Sequence, residues 1–139
     1  MAIGEKIFDE TGKVTSTSIQ SVHPIEGVKM KVNFSSEVKG SGKFPNGRNM
    51  GSGIMTQYPH GIVDASYQGV FTTNEGEQYF WWAHEKSKVA EGGKVKGLIT
   101  VTGFTNSQKL SWLNDLIIVI DSEADPSAQG FKGVAYEWK

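Results

Sequence analysis

The stretch VKMKVNFSSEVK, residues 28–39, alternates apolar and polar side chains with a period of two. Val28, Met30, Val32, Phe34 and Val38 fall on one side, and Lys29, Lys31, Asn33, Glu37 and Lys39 on the other. Only an extended strand sets alternate residues on opposite faces, so one face packs on a core and the other meets water. Residues 62–72 repeat the pattern, with Val63, Ala65, Tyr67, Gly69 and Phe71 set against Asp64, Ser66, Gln68 and Thr72. Turn residues divide the chain into eight extended pieces, 13–22, 28–39, 52–58, 62–72, 77–89, 94–104, 114–121 and 131–138, and each break holds Gly, Asn or Pro. That spacing suits an all-β meander. The one helix-like segment, TNSQKLSWLN at 105–114, is short enough to be a loop or a single turn.

Eight successive antiparallel strands close most economically into an up-and-down barrel, because closure removes exposed edges. A β-sandwich is the other arrangement that eight strands allow. A barrel of this size is either filled by its own side chains or, lipocalin-like, wide enough for one small ligand. The 139 residues make one domain, 1–139, able to bury a core without staples.

Charge and composition exclude several function classes. With 14 basic and 15 acidic residues the net charge is −1, which gives no electrostatic reason to bind nucleic acid or an anionic membrane. The absence of cysteine removes disulfides and thiolate metal sites. His23, His60 and His84 stand apart without paired spacing, so neither a metal site nor a cofactor is expected. MAIGEKIFDETGK carries no apolar leader, no run reaches the length of a membrane span, and a cytoplasmic location is the expectation. GSGKFPNGRNMGSG, 40–53, lacks the order of a phosphate-binding loop and no helix follows it. It reads as a long connection with glycines in left-handed conformations.

The segment EQYFWWAHEKSKV, 77–89, poses a question of parity, because Trp81 and Trp82 point to opposite faces of one strand. The turn TTNEGE allows two registers against 62–72. A three-residue loop Asn74-Glu75-Gly76 with Gly76 left-handed sets Phe71 opposite Tyr79, Gly69 opposite Trp81, Ala65 opposite Glu85 and Asp64 opposite Lys86. Glu85 then enters the lumen and His84 stays outside. A two-residue turn Glu75-Gly76 sets Phe71 opposite Phe80, Gly69 opposite Trp82 and Tyr67 opposite His84, with Glu85 outside. Turn chemistry favours the first register.

The run GSGIMTQYPHGIVDASYQGVFTT, 51–73, with EGEQYFWWAHEK, 75–86, resembles a family of small bacterial proteins of unknown function whose fold is similar to the allene oxide cyclase barrel. The likeness extends by strand pattern from Val28 to the C-terminus. It implies the eight-stranded meander barrel, assigns no activity, and maps no catalytic residue of the cyclase onto this chain. It also implies the second register, with the aromatic and histidine positions of 77–89 turned inward, and that register is the expectation adopted.

The candidate lumen residues are accordingly Tyr67, Phe71, Phe80, Trp82 and His84, with Glu85 taking the place of His84 in the first register. A lumenal His84 offers acid–base chemistry near neutrality, against the plainer role of a histidine bonded to the Tyr67 hydroxyl. An inward Glu85 would be the stronger functional group, against the plainer role of balancing Lys86 and Lys88 outside. Tyr58, Pro59 and His60 either rim a ligand entrance or simply make a turn, and His23 reads the same way. Three functions follow: a barrel binding a small, largely apolar ligand; a cyclase or isomerase acting on a lipid-like substrate in the same pocket; or a filled barrel serving as an oligomerisation or partner-binding module. Whichever parity holds, two aromatics remain outside, Tyr79 and Trp81 in the adopted register. An apolar patch of that kind points to a homo-oligomer, unless the N-terminal arm or the loop 105–113 covers it.

Overall fold

The computed structural model describes residues 3–139. Eight antiparallel strands follow one another in sequence: β1 (Ile3–His23), β2 (Gly27–Gly40), β3 (Gly47–Gln57), β4 (Ile62–Thr73), β5 (Gln78–Val89), β6 (Val95–Phe104), β7 (Ile117–Asp125) and β8 (Gly130–Trp138). Each pairs with the next, and β8 returns to β1 to close the barrel. The meander barrel is therefore the fold, and the sandwich is not. The helix-like segment reduces to one 3-10 turn at Ser111–Asp115, and a second short turn lies at Glu91–Gly93.

Two strands begin earlier than their sequence patterns suggest. β1 starts at Ile3, ten residues before the expected piece at 13, and its first half pairs with β8. Register shifts between Ile3 and Lys6 and between Lys6 and Phe8 break the period of two, so adjacent Ile7 and Phe8 are both buried. β3 starts at Gly47 rather than near 52, so the glycine-rich connection shrinks to 41–46. Within that connection Gly42 alone has a positive φ, +62°; Gly47, Gly51 and Gly53 are strand residues.

Those strand glycines serve the aromatic rings that fill the inner face. A Cβ on Gly51 would come 2.8 Å from Cη2 of Trp81, and one on Gly53 would come 2.5 Å from Cδ1 of Tyr67. Gly69 lies beneath the same Trp81 ring, and Gly47 beneath Phe71. Small residues on the inner face of β3 and β4 thus make the space that large residues of β4 and β5 occupy.

The β4–β5 register corrects the adopted parity. Phe71 pairs with Tyr79, Gly69 with Trp81, Ala65 with Glu85, and Asp64 with Lys86. Gly76 has φ +90° and donates to the Thr73 carbonyl at 2.9 Å, and Thr73 N–H donates to the Glu77 carbonyl at 2.8 Å, which closes a three-residue loop. A two-residue hairpin turn would have put Glu75 at a positive φ. A side-chain-bearing residue pays about 1–2 kcal/mol there, whereas glycine at the third loop position pays little. Both parities bury one tryptophan and one further aromatic, so hydrophobic burial nearly cancels between them and the turn decides.

The two ends of the barrel differ. At one end, loops 41–46 and 105–116 fold over the opening: Phe44, Leu110 and Leu113 are buried in one cluster with Val38, Phe71 and Tyr79. Phe44 stacks between Phe8 and Phe71, with ring centroids 4.9 and 5.7 Å away. The other end carries the turns 24–26, 58–61, 90–94 and 126–129 and is not plugged. There β1 runs on past Lys13, where its pairing with β8 stops, and residues 16–23 extend with β2 alone beside the opening.

Candidate functional site: a polar-lined apolar lumen

The plugged end and the open end together leave a blind cavity of about 340 Å³ inside the barrel. That is the small end of the range for small-molecule sites, about 300–1,000 Å³. Its wall is mainly apolar: Phe34, Tyr67, Trp81 and Phe131 form an aromatic group, and Met30, Met55, Val63, Ile99 and Ile120 complete much of the surface. Phe34 is the hub, with centroids 5.4 Å from Tyr67, 6.0 Å from Trp81 and 5.7 Å from Phe131. The lumen is open rather than filled.

Two carboxyl groups enter this wall. Glu85, brought inward by the β4–β5 register, accepts a hydrogen bond from the Tyr67 hydroxyl at 2.6 Å on Oε1 and another from the Ser87 hydroxyl on Oε2. Burial, and then the charge and hydrogen bond of Glu85, push the Tyr67 hydroxyl far above its usual pKa, so it keeps its proton and donates it to the carboxylate.

Glu10, on the inner face of β1, is the second. Its Oε2 accepts from the Ser36 hydroxyl and from Asn49 Nδ2 at 3.2 Å. Asn49 is oriented by Trp81, whose indole Nε1–H donates to Asn49 Oδ1 at 2.7 Å. The indole can only donate, so the amide oxygen must face Trp81 and the amide nitrogen must face Glu10. Burial raises the Glu10 pKa, and the hydrogen bonds from Ser36 and Asn49 only partly oppose it. In an eight-stranded ring β1 and β5 lie opposite each other. Traced one way around the ladder, Glu10 aligns with Val38, Gly47 and Thr73; traced the other way, with Gly133, Ser122, Gly97 and Ser87. The strands therefore tilt, and Glu10 lies across from the middle of β5, deeper in the lumen than Glu85.

A third polar group is buried without a partner. The Tyr79 hydroxyl has no hydrogen bond among the described residues, and burial pushes its pKa up to about 12. It lies against Gly103 of β6, at the plugged end.

Of the six residues expected in the lumen, Tyr67, Phe71 and Glu85 line it. Phe80, Trp82 and His84 do not: Phe80 and Trp82 are 38 % and 55 % exposed on the outer face, where His84 Nε2 meets Asp64 Oδ1 at 3.1 Å. The expected outward pair is corrected in the same stroke, since Tyr79 and Trp81 are inside at 3 % and 7 % exposure. The N-terminal segment and the loop 105–113 do not cover the outer aromatics; the first belongs to β1 and the second plugs the barrel. Neither His23, at the end of β1, nor His60, in the turn 58–61, reaches the cavity wall. His23 Nδ1 accepts from the amides of Ile25 and Glu26, both at 3.1 Å, while the ring of His60 rests 5.7 Å from that of Tyr58 in its own turn. Sequence reasoning missed Glu10, Asn49, Ser87 and Phe131. Glu10 and Asn49 lie in stretches whose residue pattern does not mark a strand, so the sequence alone assigns them no parity.

No protein-family model matches the chain, and no curated protein matches it. Solved structures share its fold over nearly its whole length. A protein of unknown function from Clostridium acetobutylicum is 17 % identical, with 100 % of this chain and 99 % of that one covered at a TM-score of 0.84. A β-barrel-like protein from Acinetobacter baumannii is 15 % identical, covering 99 % and 96 %, at 0.83. A conserved protein of unknown function from Rhodopseudomonas palustris is 14 % identical, covering 99 % and 98 %, at 0.80. At these identities the likeness is one of fold alone.

Proposed function

We propose that the protein binds a small, largely apolar molecule in the barrel lumen, and that it groups with small bacterial barrels of unknown function whose fold is similar to allene oxide cyclase. The observation that carries the binding reading is the blind cavity of about 340 Å³, walled by aromatic and aliphatic side chains and carrying two convergent carboxyls. A barrel built only for support would fill that volume, since protein interiors pack to the density of organic crystals. Because Glu10 and Glu85 approach the cavity from opposite walls, acid–base isomerisation of a bound lipid-like molecule is the second reading of the same pocket.

The test is titration with the uncharged fluorescent dye N-phenylnaphthylamine. One dye bound per chain is expected. Ala83→Leu, which adds bulk to the lumen wall, and Thr17→Trp, at the open end, should each weaken binding about tenfold or more. Trp82→Ala, on the outer face, should leave it unchanged. Equal binding by the two lumen variants, with loss in Trp82→Ala, would place the dye outside the barrel and end the lumen reading.

The outer face favours an additional property. Met50, Val70, Phe80 and Phe104 are cross-strand neighbours in one row over β3 to β6, with Trp82 beside them. Met50 and Phe104 are 59 % and 51 % exposed. We propose that this row joins copies of the chain into a homo-oligomer, in place of the Tyr79 and Trp81 contact expected from the other register.

A further inference from the structure

We infer that the lumen selects uncharged apolar ligands whose oxygen accepts a hydrogen bond from the Glu10 carboxyl, and that it excludes anionic amphiphiles of the same size. This inference rests on the lumen-binding reading and names the ligand chemistry of that site.

Oε2 of Glu10 already accepts from Ser36 and Asn49, so both of its lone-pair directions are taken. Oε1 has no hydrogen bond among the described residues, although the side chain is more than nine-tenths buried and forms part of the cavity wall. Burial disfavours the charged form of this carboxyl more than its two hydrogen bonds favour it, so its pKa is raised and the protonated form is favoured relative to an exposed glutamate. The proton then belongs on Oε1, the oxygen free of incoming donors. Oε1 meets the open space of the cavity, so an O–H there takes its acceptor from whatever occupies the lumen. A carbonyl, ester, ether or hydroxyl oxygen at the floor of the lumen supplies one.

The second observation is the sign of the lumen's charge. Its inward ionisable side chains include two acids, Glu10 and Glu85, and all three histidines lie elsewhere, His23 at the end of β1, His60 in a turn and His84 on the outer face. Lys132 reaches the lining only from the outward face of β8 near the open end, where Asp125 accompanies it. The donors around the two carboxyls are committed: Tyr67 and Ser87 to Glu85, the Trp81 indole to Asn49, and Ser36 and Asn49 to Glu10, which leaves the neutral hydroxyl of Tyr79 as an unpartnered donor at the plugged end. A carboxylate head group carried past Lys132 into the interior would lose its water, find no inward-pointing cation, and face Glu85.

The experiment compares methyl decanoate with decanoate as competitors for N-phenylnaphthylamine in the wild-type protein, since the two differ only in the charge and methylation of one head group. Methyl decanoate should displace the dye at a concentration about tenfold lower or better. Decyl methyl ether, which can only accept, isolates the Glu10 donor. Glu10→Gln keeps an N–H donor and should hold the ether within about threefold of wild type, whereas Glu10→Leu should weaken it about tenfold. Decanoate displacing the dye as well as its ester overturns the inference while leaving the lumen reading intact. An ether affinity unaffected by Glu10→Leu overturns the Glu10 assignment in the same way. Failure of the dye and of all three competitors to bind removes both. The wild-type comparison needs no variant, so a misfolded Glu10→Leu protein leaves the question decidable.

Discussion

At the scale of single residues, Glu10 is the side chain whose environment departs most from what its type prefers. A glutamate placed among Phe8, Val38 and Trp81 has one oxygen satisfied by Ser36 and Asn49, and burial raises its pKa toward the uncharged form. The consequence for stability has a definite sign. Burial raises the folded-state pKa above that of the unfolded chain, so the native state holds the proton more tightly. The native fold is therefore favoured at low pH, and that contribution is lost as pH rises from the unfolded carboxyl value through the raised folded one. Glu10→Gln removes the titration, so its melting temperature should gain on that of the wild type as pH is taken from 5 to 8. Parallel melting curves across that range would show that Glu10 is ionised in the fold. The hydroxyl of Tyr79, which has no hydrogen bond among the described residues, is another buried polar cost in the barrel.

At the scale of elements, the site is assembled by two hairpins and a ring of glycines. The β4–β5 hairpin sets Glu85, Tyr67 and Trp81 inward through the three-residue loop closed at Gly76. The β2–β3 hairpin places Ser36 directly opposite Asn49, which is why both reach the same oxygen of Glu10. Gly51 and Gly69, cross-strand partners in β3 and β4, form the floor on which the Trp81 ring lies. Gly69→Ala tests that packing. The added methyl would drive the indole off its seat and with it the bond that orients Asn49, at a cost of about 1–3 kcal/mol for overpacking. Chemical denaturation should show this loss, and dye affinity should fall with it. A neutral effect on both would mean that the indole finds another rotamer without disturbing the lumen.

At the scale of the whole molecule, closure with one plugged and one open end leaves the cavity a single approach. Loops 41–46 and 105–116 bury Phe44, Leu110 and Leu113 at one end, while the longer β1–β2 hairpin stands beside the opening at the other. The outer row of Met50, Val70, Phe80 and Phe104, with Trp82, lies on the side of the barrel and not at its mouth, so association there leaves the entrance free. Light scattering on the eluting protein should report more than one chain per particle. Trp82→Glu combined with Phe80→Glu should convert it to single chains while preserving dye binding, because neither residue touches the cavity. A wild-type protein that elutes as one chain would end the homo-oligomer proposal.

What the sequence determines by itself is the class of fold and most of its spacing. Alternation in 28–39 and 62–72, with glycine, asparagine and proline at the breaks, is enough to specify eight antiparallel strands, because period-two patterning and turn chemistry are local properties. Even the register of the aromatic strand was legible, since a glutamate in the positive-φ seat of a two-residue turn is costly and Gly76 offered the alternative. Weighing family likeness above that turn turned Phe80, Trp82 and His84 inward and was misleading. The tertiary structure alone decided the rest. Bulges in the first half of β1 erase the alternation that would have marked it as a strand, and with it the inward parity of Glu10. The glycines of β3 resemble a loop until the rings of Tyr67, Phe71 and Trp81 are seen to occupy the space they leave. Whether eight strands enclose a filled core or a cavity depends on how inward side chains from every strand sum across the lumen, a non-local quantity that no window of sequence contains.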